Sequence, residues 1–264
     1  MKRADPSAQV GVELLGVPGG AFQQWDEAVM SIVGSKADFV DIHAYPFGLE
    51  DDSDAAVLAF PRTNAAKMAA LRRLLDRYAS PRTEIVVGEA NSAAVPTKQQ
   101  IGPVNALYLA DDMLGLLDGG ARNVDWFGLH VGGWAYYGDS DLGLLSTGDC
   151  NDDNTDCAPP AQTPFRPYWA LRLVGTMARH GGTMVPVTSS NPLLIGHALR
   201  GSDGALRVLV QNDDPSHAAA AHLDVPGYHA VSAVQYSPSD AKPHPVAAGR
   251  PLPAYSLTLI EFRR

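Results

Sequence analysis

The chain has 264 residues, 45% hydrophobic and 19% charged, enough to bury the core of one large domain or of a medium and a small one. Twenty basic residues against 29 acidic ones leave a formal charge of −9, which disfavours nucleic acid or an anionic membrane as partner and suits a neutral substrate. No apolar run reaches the length of a membrane span, and the Met-Lys-Arg-Ala-Asp-Pro start leads into no apolar stretch, so no signal peptide is expected in this chain.

Gln9 to Leu15 reads as a strand, residues 16–20 as the loop above it, and Trp25 to Val33 as a helix with apolar positions at 25, 29, 32 and 33. A second strand covers Asp38 to Ala44. Tyr45-Pro46 then opens a long acidic loop, and Pro61 to Ala79 is a helix with Met68, Leu71, Leu74, Leu75 and Tyr78 on one face, stopped by Ser80-Pro81. A third unit joins the strand Glu84 to Gly88 to a helix over Pro103 to Leu117, closed by Gly119-Gly120. The fourth joins the strand Asn123 to His130, through a loop of more than thirty residues, to a helix over Pro167 to His180. Four successive βα units imply a parallel sheet covered by helices.

From Thr183 the period changes to short alternating segments: Leu193 to Leu199, Leu206 to Gln211, Ala218 to Val225, Val231 to Tyr236 and Ser256 to Phe262. Asp-Gly, Asp-Asp-Pro, Pro-Gly and Gly-Arg-Pro turns separate them, and no helical stretch intervenes, so this part is expected to form an antiparallel sheet or sandwich. The boundary falls near Gly181 to Pro186, dividing the chain into 1–181 and 182–264.

The chemistry concentrates at Glu84-Ile-Val-Val-Gly-Glu-Ala-Asn-Ser92. A short apolar run stops at a glycine and delivers a carboxylate, Glu89, followed by the Asn91 amide, as a buried parallel strand does at its C-terminal end. An acidic residue ending a strand beside a loop is the plainer alternative. Loop 131–163 carries Trp134, Tyr136 and Tyr137 among glycines and aspartates; flat aromatic faces suit stacking on a sugar ring, or simply anchor the loop. Only two cysteines occur, Cys150 and Cys157, bracketing Asn-Asp-Asp-Asn-Thr-Asp. Their closeness suggests a local disulfide and an oxidising compartment. The acidic loop lacks the glycine and terminal glutamate of a calcium-binding loop and reads as solvated.

Together, Asp38-Phe-Val-Asp-Ile-His-Ala-Tyr-Pro46, Glu84 to Asn91, Gly143-Leu-Leu-Ser146, Thr163-Pro-Phe-Arg-Pro-Tyr-Trp-Ala-Leu-Arg172 and Ala254-Tyr-Ser-Leu-Thr-Leu-Ile-Glu-Phe262 resemble the second half of a retaining (β/α)8 glycoside hydrolase with an appended β-sandwich. The resemblance is greatest to the α-L-arabinofuranosidase group, with β-xylosidases and β-glucuronidases of the same clan beside it. It implies a half-barrel of strands five to eight over 1–181 and a sandwich over 182–264. It also implies that Glu89 is the nucleophile of the seventh strand, that His43 and Tyr45 line the sugar subsite and bond the nucleophile, and that Asn91 orients it. Trp126 and His130 would close the pocket or fill the barrel core, and Trp134 and Tyr137 would supply a stacking wall. His43 has the further alternative of a core histidine satisfied by its surroundings.

Retaining hydrolysis needs two carboxylates about 5–5.5 Å apart. In this clan the acid/base follows strand four, commonly as Asn-Glu, and no Asn-Glu pair occurs here. Glu13 lies within its strand rather than at its end. The expectation is therefore the nucleophile-bearing portion of a secreted glycosidase acting on plant polysaccharide or glycoside, without metal or organic cofactor, partnered by a complementary half-barrel or by self-association. The alternative is a non-catalytic carbohydrate-binding protein, or an inactive fragment.

Overall fold

Four short strands carry the first part of the chain: β1 (Gly11–Leu14), β2 (Phe39–Ala44), β3 (Glu84–Ala90) and β4 (Asn123–Trp126). They lie side by side in chain order, all parallel. The computed structural model describes residues 1–16, 20–46, 53–94, 97, 99–132 and 141–264. Between the strands run α1 (Gln23–Val33), α2 (Asp54–Ala59), α3 (Asn64–Tyr78) and α4 (Pro103–Asp118), and α5 (Arg166–Ala178) follows β4. None of the described helices is long and apolar enough to cross a membrane.

The helices cover one face of this sheet. Val40, Ile42, Ile85, Val87 and Ala90 pack there against Met30, Met68, Leu71, Leu74, Leu107 and Leu173. α2 was not expected: Ser53 Oγ accepts the Ala56 N–H at 3.3 Å and caps a six-residue helix inside what reads as a loop. A 3₁₀ turn over Phe60–Thr63 then leads into α3. α4 is buried along almost its whole length, because it touches α3 and α5 on one side and the second sheet on the other.

That second sheet has six antiparallel strands: β5 (Gly182–Val185), β6 (Leu194–Gly201), β7 (Leu206–Asn212), β8 (His229–Tyr236), β9 (His244–Val246) and β10 (Ser256–Arg263), in the order β5-β6-β7-β10-β8-β9. Leu199, Leu209, Leu257 and Leu259 join the helical core, while Ala198, Val208, Val210, Ile260 and Phe262 form a separate cluster on the far face. The strand expected over Ala218 to Val225 is not formed. That segment makes a single bridge, Ala219 with Leu252, and lays Ala221, Leu223 and Val225 across the far face. The sheet edges are held by β5 and β9, so its one-sided apolar alternation is satisfied by covering the face instead of extending the ladder. Among the described residues this irregular segment covers the far face, and the second sheet that the expected sandwich requires is not formed there.

Polar ties cross between the two sheets' surroundings. His197 Nε2 on β6 lies 2.8 Å from Asp111 Oδ1 on α4, and Arg62 pairs with Asp213 at 3.0 Å. Tyr255 donates to Asp54 at 3.0 Å, and Arg166 donates to the Asp240 carbonyl at 2.7 Å.

Candidate active site

The helix-free face of the parallel sheet carries the polar groups. On β2, Val40 and Ile42 point to the helices, so Asp41 and His43 stand on the other side. On β1, Leu14 is buried and Glu13 pairs in register with Asp41 on the open face. Asp125 alternates in the same way on β4, beside buried Val124.

β3 departs from regular alternation. Ile85 and Val87 are buried under the helices, and strict period two would send Glu89 after them. The register instead jumps: Ile42 pairs with Val87, but His43 pairs with Glu89. On the other side Val87 pairs with Val124 and Ala90 with Trp126, three steps along β3 against two along β4. One extra residue, a β-bulge at Gly88, turns Glu89 to the open face and returns Ala90 to the core.

Glu89 then meets two partners from β2 and the residue after it. The Tyr45 hydroxyl donates to Glu89 Oε2 at 2.7 Å, and His43 Nδ1 lies 3.5 Å from the same oxygen. His43 Nδ1 is also 4.0 Å from Glu13 Oε1, so the histidine stands between two carboxylates. Burial and the neighbouring Glu89 carboxylate push the Tyr45 phenol well above its ordinary range, so it stays a proton donor at any working pH. Glu89 and His43 side chains are each 35% exposed, open to a substrate. The group sits at the C-terminal ends of the strands, where barrel enzymes place their chemistry. A depression of about 550 Å³ at the opposite ends, lined by Lys2, Asp38, Arg82 and Glu84, holds none of it.

The other expected residues are placed differently. Asn91 is fully buried: its amide donates to the Phe127 and Leu142 carbonyls, and its oxygen accepts the Ser92 N–H at 2.7 Å. It fastens the chain after β4 to the end of β3 and does not touch Glu89 in any hydrogen bond described. Trp126, paired with Ala90, turns toward the helices, its ring 6.2 Å from that of Tyr108. His130 is exposed in the following loop, in the electrostatic surroundings of Asp141. Trp134, Tyr136 and Tyr137 lie outside the described residues. Cys150 and Cys157 form a disulfide across an antiparallel bridge. Among the described residues no group of three or more His, Cys, Asp or Glu is arranged to hold a metal ion.

Sequence reasoning missed Asp41, whose carboxylate accepts the Gly88 N–H at 2.8 Å, and Asp125 on the same face. The signal was present: two residues, Gly88 and Glu89, separate apolar Val87 from apolar Ala90 where strict alternation allows one.

No protein-family model matches the sequence, and no curated protein matches it. Solved structures do. An α-L-arabinofuranosidase from Thermotoga maritima in complex with arabinose aligns over 98% of this chain with a TM-score of 0.68 at 13% identity, covering 58% of its own length. A GH51 arabinofuranosidase from Xanthomonas axonopodis pv. citri aligns over 96% with a TM-score of 0.66 at 15% identity, covering 57% of its own. A family 44 xyloglucanase from Paenibacillus polymyxa aligns over the whole chain with a TM-score of 0.65 at 14% identity, covering 58% of its length. The fold is thus that shared by GH51 arabinofuranosidases and a family 44 glycoside hydrolase, as the motifs implied, and the chain spans somewhat less than two thirds of those enzymes.

Proposed function

We propose that the chain is the nucleophile-bearing part of a retaining glycoside hydrolase, α-L-arabinofuranosidase-like, acting on plant polysaccharide or glycoside. The observation that carries this reading is Glu89: a half-exposed carboxylate at a strand's C-terminal end, held by the Tyr45 hydroxyl at 2.7 Å with His43 beside it. Glu89 attacks the anomeric carbon and expels the leaving group, giving a glycosyl ester that water then hydrolyses. Tyr45 and His43 fix the attacking oxygen and the carboxylate's orientation before the sugar arrives. The general acid/base is supplied by a complementary half-barrel. The disulfide Cys150–Cys157 supports an extracellular location.

The test uses a leaving group that needs no proton. With 2,4-dinitrophenyl α-L-arabinofuranoside the isolated chain releases a stoichiometric burst of dinitrophenolate and gains the mass of one pentosyl residue on Glu89. Glu89→Gln shows neither. A wild-type chain that binds arabino-oligosaccharides in calorimetry but gives no burst favours the non-catalytic sugar-binding reading. That reading is favoured by the missing second carboxylate: no Asn-Glu pair occurs in the sequence, and Glu13, the carboxylate beside the same histidine, is set within its strand.

A further inference from the structure

The bulge that aims Glu89 is not held by its own strand. An extra residue in a ladder leaves a backbone N–H without its regular partner, and such a group in a partly buried sheet costs free energy unless something accepts it. At Gly88 the acceptor is a side chain: Asp41 Oδ1, 2.8 Å from the Gly88 nitrogen across the β2–β3 pair. The fit is close. A Cβ built on Gly88 would lie 2.6 Å from both Asp41 carboxylate oxygens, so any larger residue here would push that carboxylate off the backbone N–H it now meets. The same side chain is half-buried on the face that carries Glu13, His43, Glu89 and Asp125. Burial penalises its charge, Glu13 and Asp125 repel it, and His43 and the Gly88 N–H favour it. An acid kept there against two like charges has a use, and the bond it makes is to the bulge.

We propose that Asp41 is a positioning residue, a latch that holds the Gly88 bulge and so keeps the Glu89 carboxylate on the open face within reach of Tyr45 and His43. Without the latch β3 returns to regular alternation or loses order after Val87, and Glu89 leaves Tyr45. A catalytic consequence rests on the hydrolase reading above; the latch does not, and the experiment separates the two.

Carbon-13 NMR of the glutamate carboxyls, in the full chain, reads the Tyr45–Glu89 bond without any substrate. In the unmodified chain, at a fixed pH of 7.5, Tyr45→Phe displaces the Glu89 carboxyl resonance, because the carboxylate loses a hydrogen-bond donor 2.7 Å away. In an Asp41→Ala background the same Tyr45→Phe change moves that resonance little, while Asp41→Asn, whose amide oxygen still accepts from Gly88, restores most of the displacement. An Asp41→Ala protein that keeps the full shift overturns the proposal, as does a Tyr45→Phe change with no effect in the unmodified chain. Should Asp41→Ala fail to fold, hydrogen exchange in the unmodified chain decides: the Gly88 amide is protected at least about 100-fold over an unbonded amide, and free exchange there overturns the latch. A chain that meets these expectations yet gives no dinitrophenolate burst keeps the latch and loses the hydrolase reading.

Discussion

The two faces of the parallel sheet have opposite characters within the same four strands. Under the helices lie Val40, Ile42, Ile85, Val87 and Ala90, each at most 3% exposed; on the other side stand Glu13, Asp41, His43, Glu89 and Asp125. Parallel sheets are ordinarily covered on both sides. Here cohesion resides on one face and chemistry on the other, and a residue's parity along its strand decides which it serves. Among the described residues of these four strands the bulge at Gly88 is the one place where that parity changes, and it does so one residue before the carboxylate.

Substitutions can break this contrast. The largest effect is expected from Glu89→Gln, which lowers glycosylation by the dinitrophenyl substrate on the order of 10³-fold or more. Its thermal unfolding stays within roughly 0.5 kcal/mol of the parent, because the side chain lies on the open face. Ile42→Ala, one residue from His43 but on the covered face, does the reverse. It costs about 2–5 kcal/mol in urea unfolding and leaves the Glu89 carboxyl resonance in place. Tyr45→Phe removes the hydroxyl that holds the Glu89 carboxylate and, on the proposed function, slows glycosylation by about 10- to 100-fold, read from the burst rate, with little change in unfolding.

The smallest effect sharpens the comparison through pH. Asp112 on α4 is wholly buried, and burial raises its carboxyl to about 7 although Asn64 donates to it. Asp213 and Asp26 are raised by the same cause. Asp112 binds a proton in the folded chain that it has released in the unfolded one, so its contribution to stability falls as pH rises from about 4 through about 7, and the other two act in the same direction. The Asp112→Asn protein, in denaturant titrations at pH 5 and pH 7.5, loses less stability across this window than the parent. The lowered carboxylates, such as Asp38 with Lys2, act in the opposite direction and only below about pH 4.

Much of this was legible in the residues. The alternation of apolar strands with amphipathic helices, and its replacement by short alternating segments after Gly181, follows from period alone, and β1 to β4 and α1, α3, α4 and α5 fall where the pattern sets them. The strand expected to run from Asn123 to His130 ends at Trp126, because the chain turns there to be tied by Asn91. Glu89, His43 and Tyr45 converge as the motifs imply. Trp126, expected to close the pocket or to fill the core, follows parity to the covered face, and Asn91, expected to orient Glu89, is drawn into the interior past the end of β3 by the Phe127 and Leu142 carbonyls. β5 and β9 were missed, since Gly182–Val185 and His244–Val246 are too short to show a period and exist by pairing with longer neighbours. Asp41 was hidden for a related reason: a side chain that serves a backbone group on the next strand leaves no mark in its own segment.

One consequence follows from α4, which is packed on nearly every side and shares its core with Leu199, Leu209, Leu257 and Leu259 of the antiparallel sheet. The two sheets are not interchangeable modules. A grafted C-terminal sheet from a protein of the same fold would have to fit this helix and supply matches for His197 against Asp111 and Asp213 against Arg62. Divergence in the two parts of the chain is thereby yoked, and shuffling between relatives is restricted to donors whose two parts changed together.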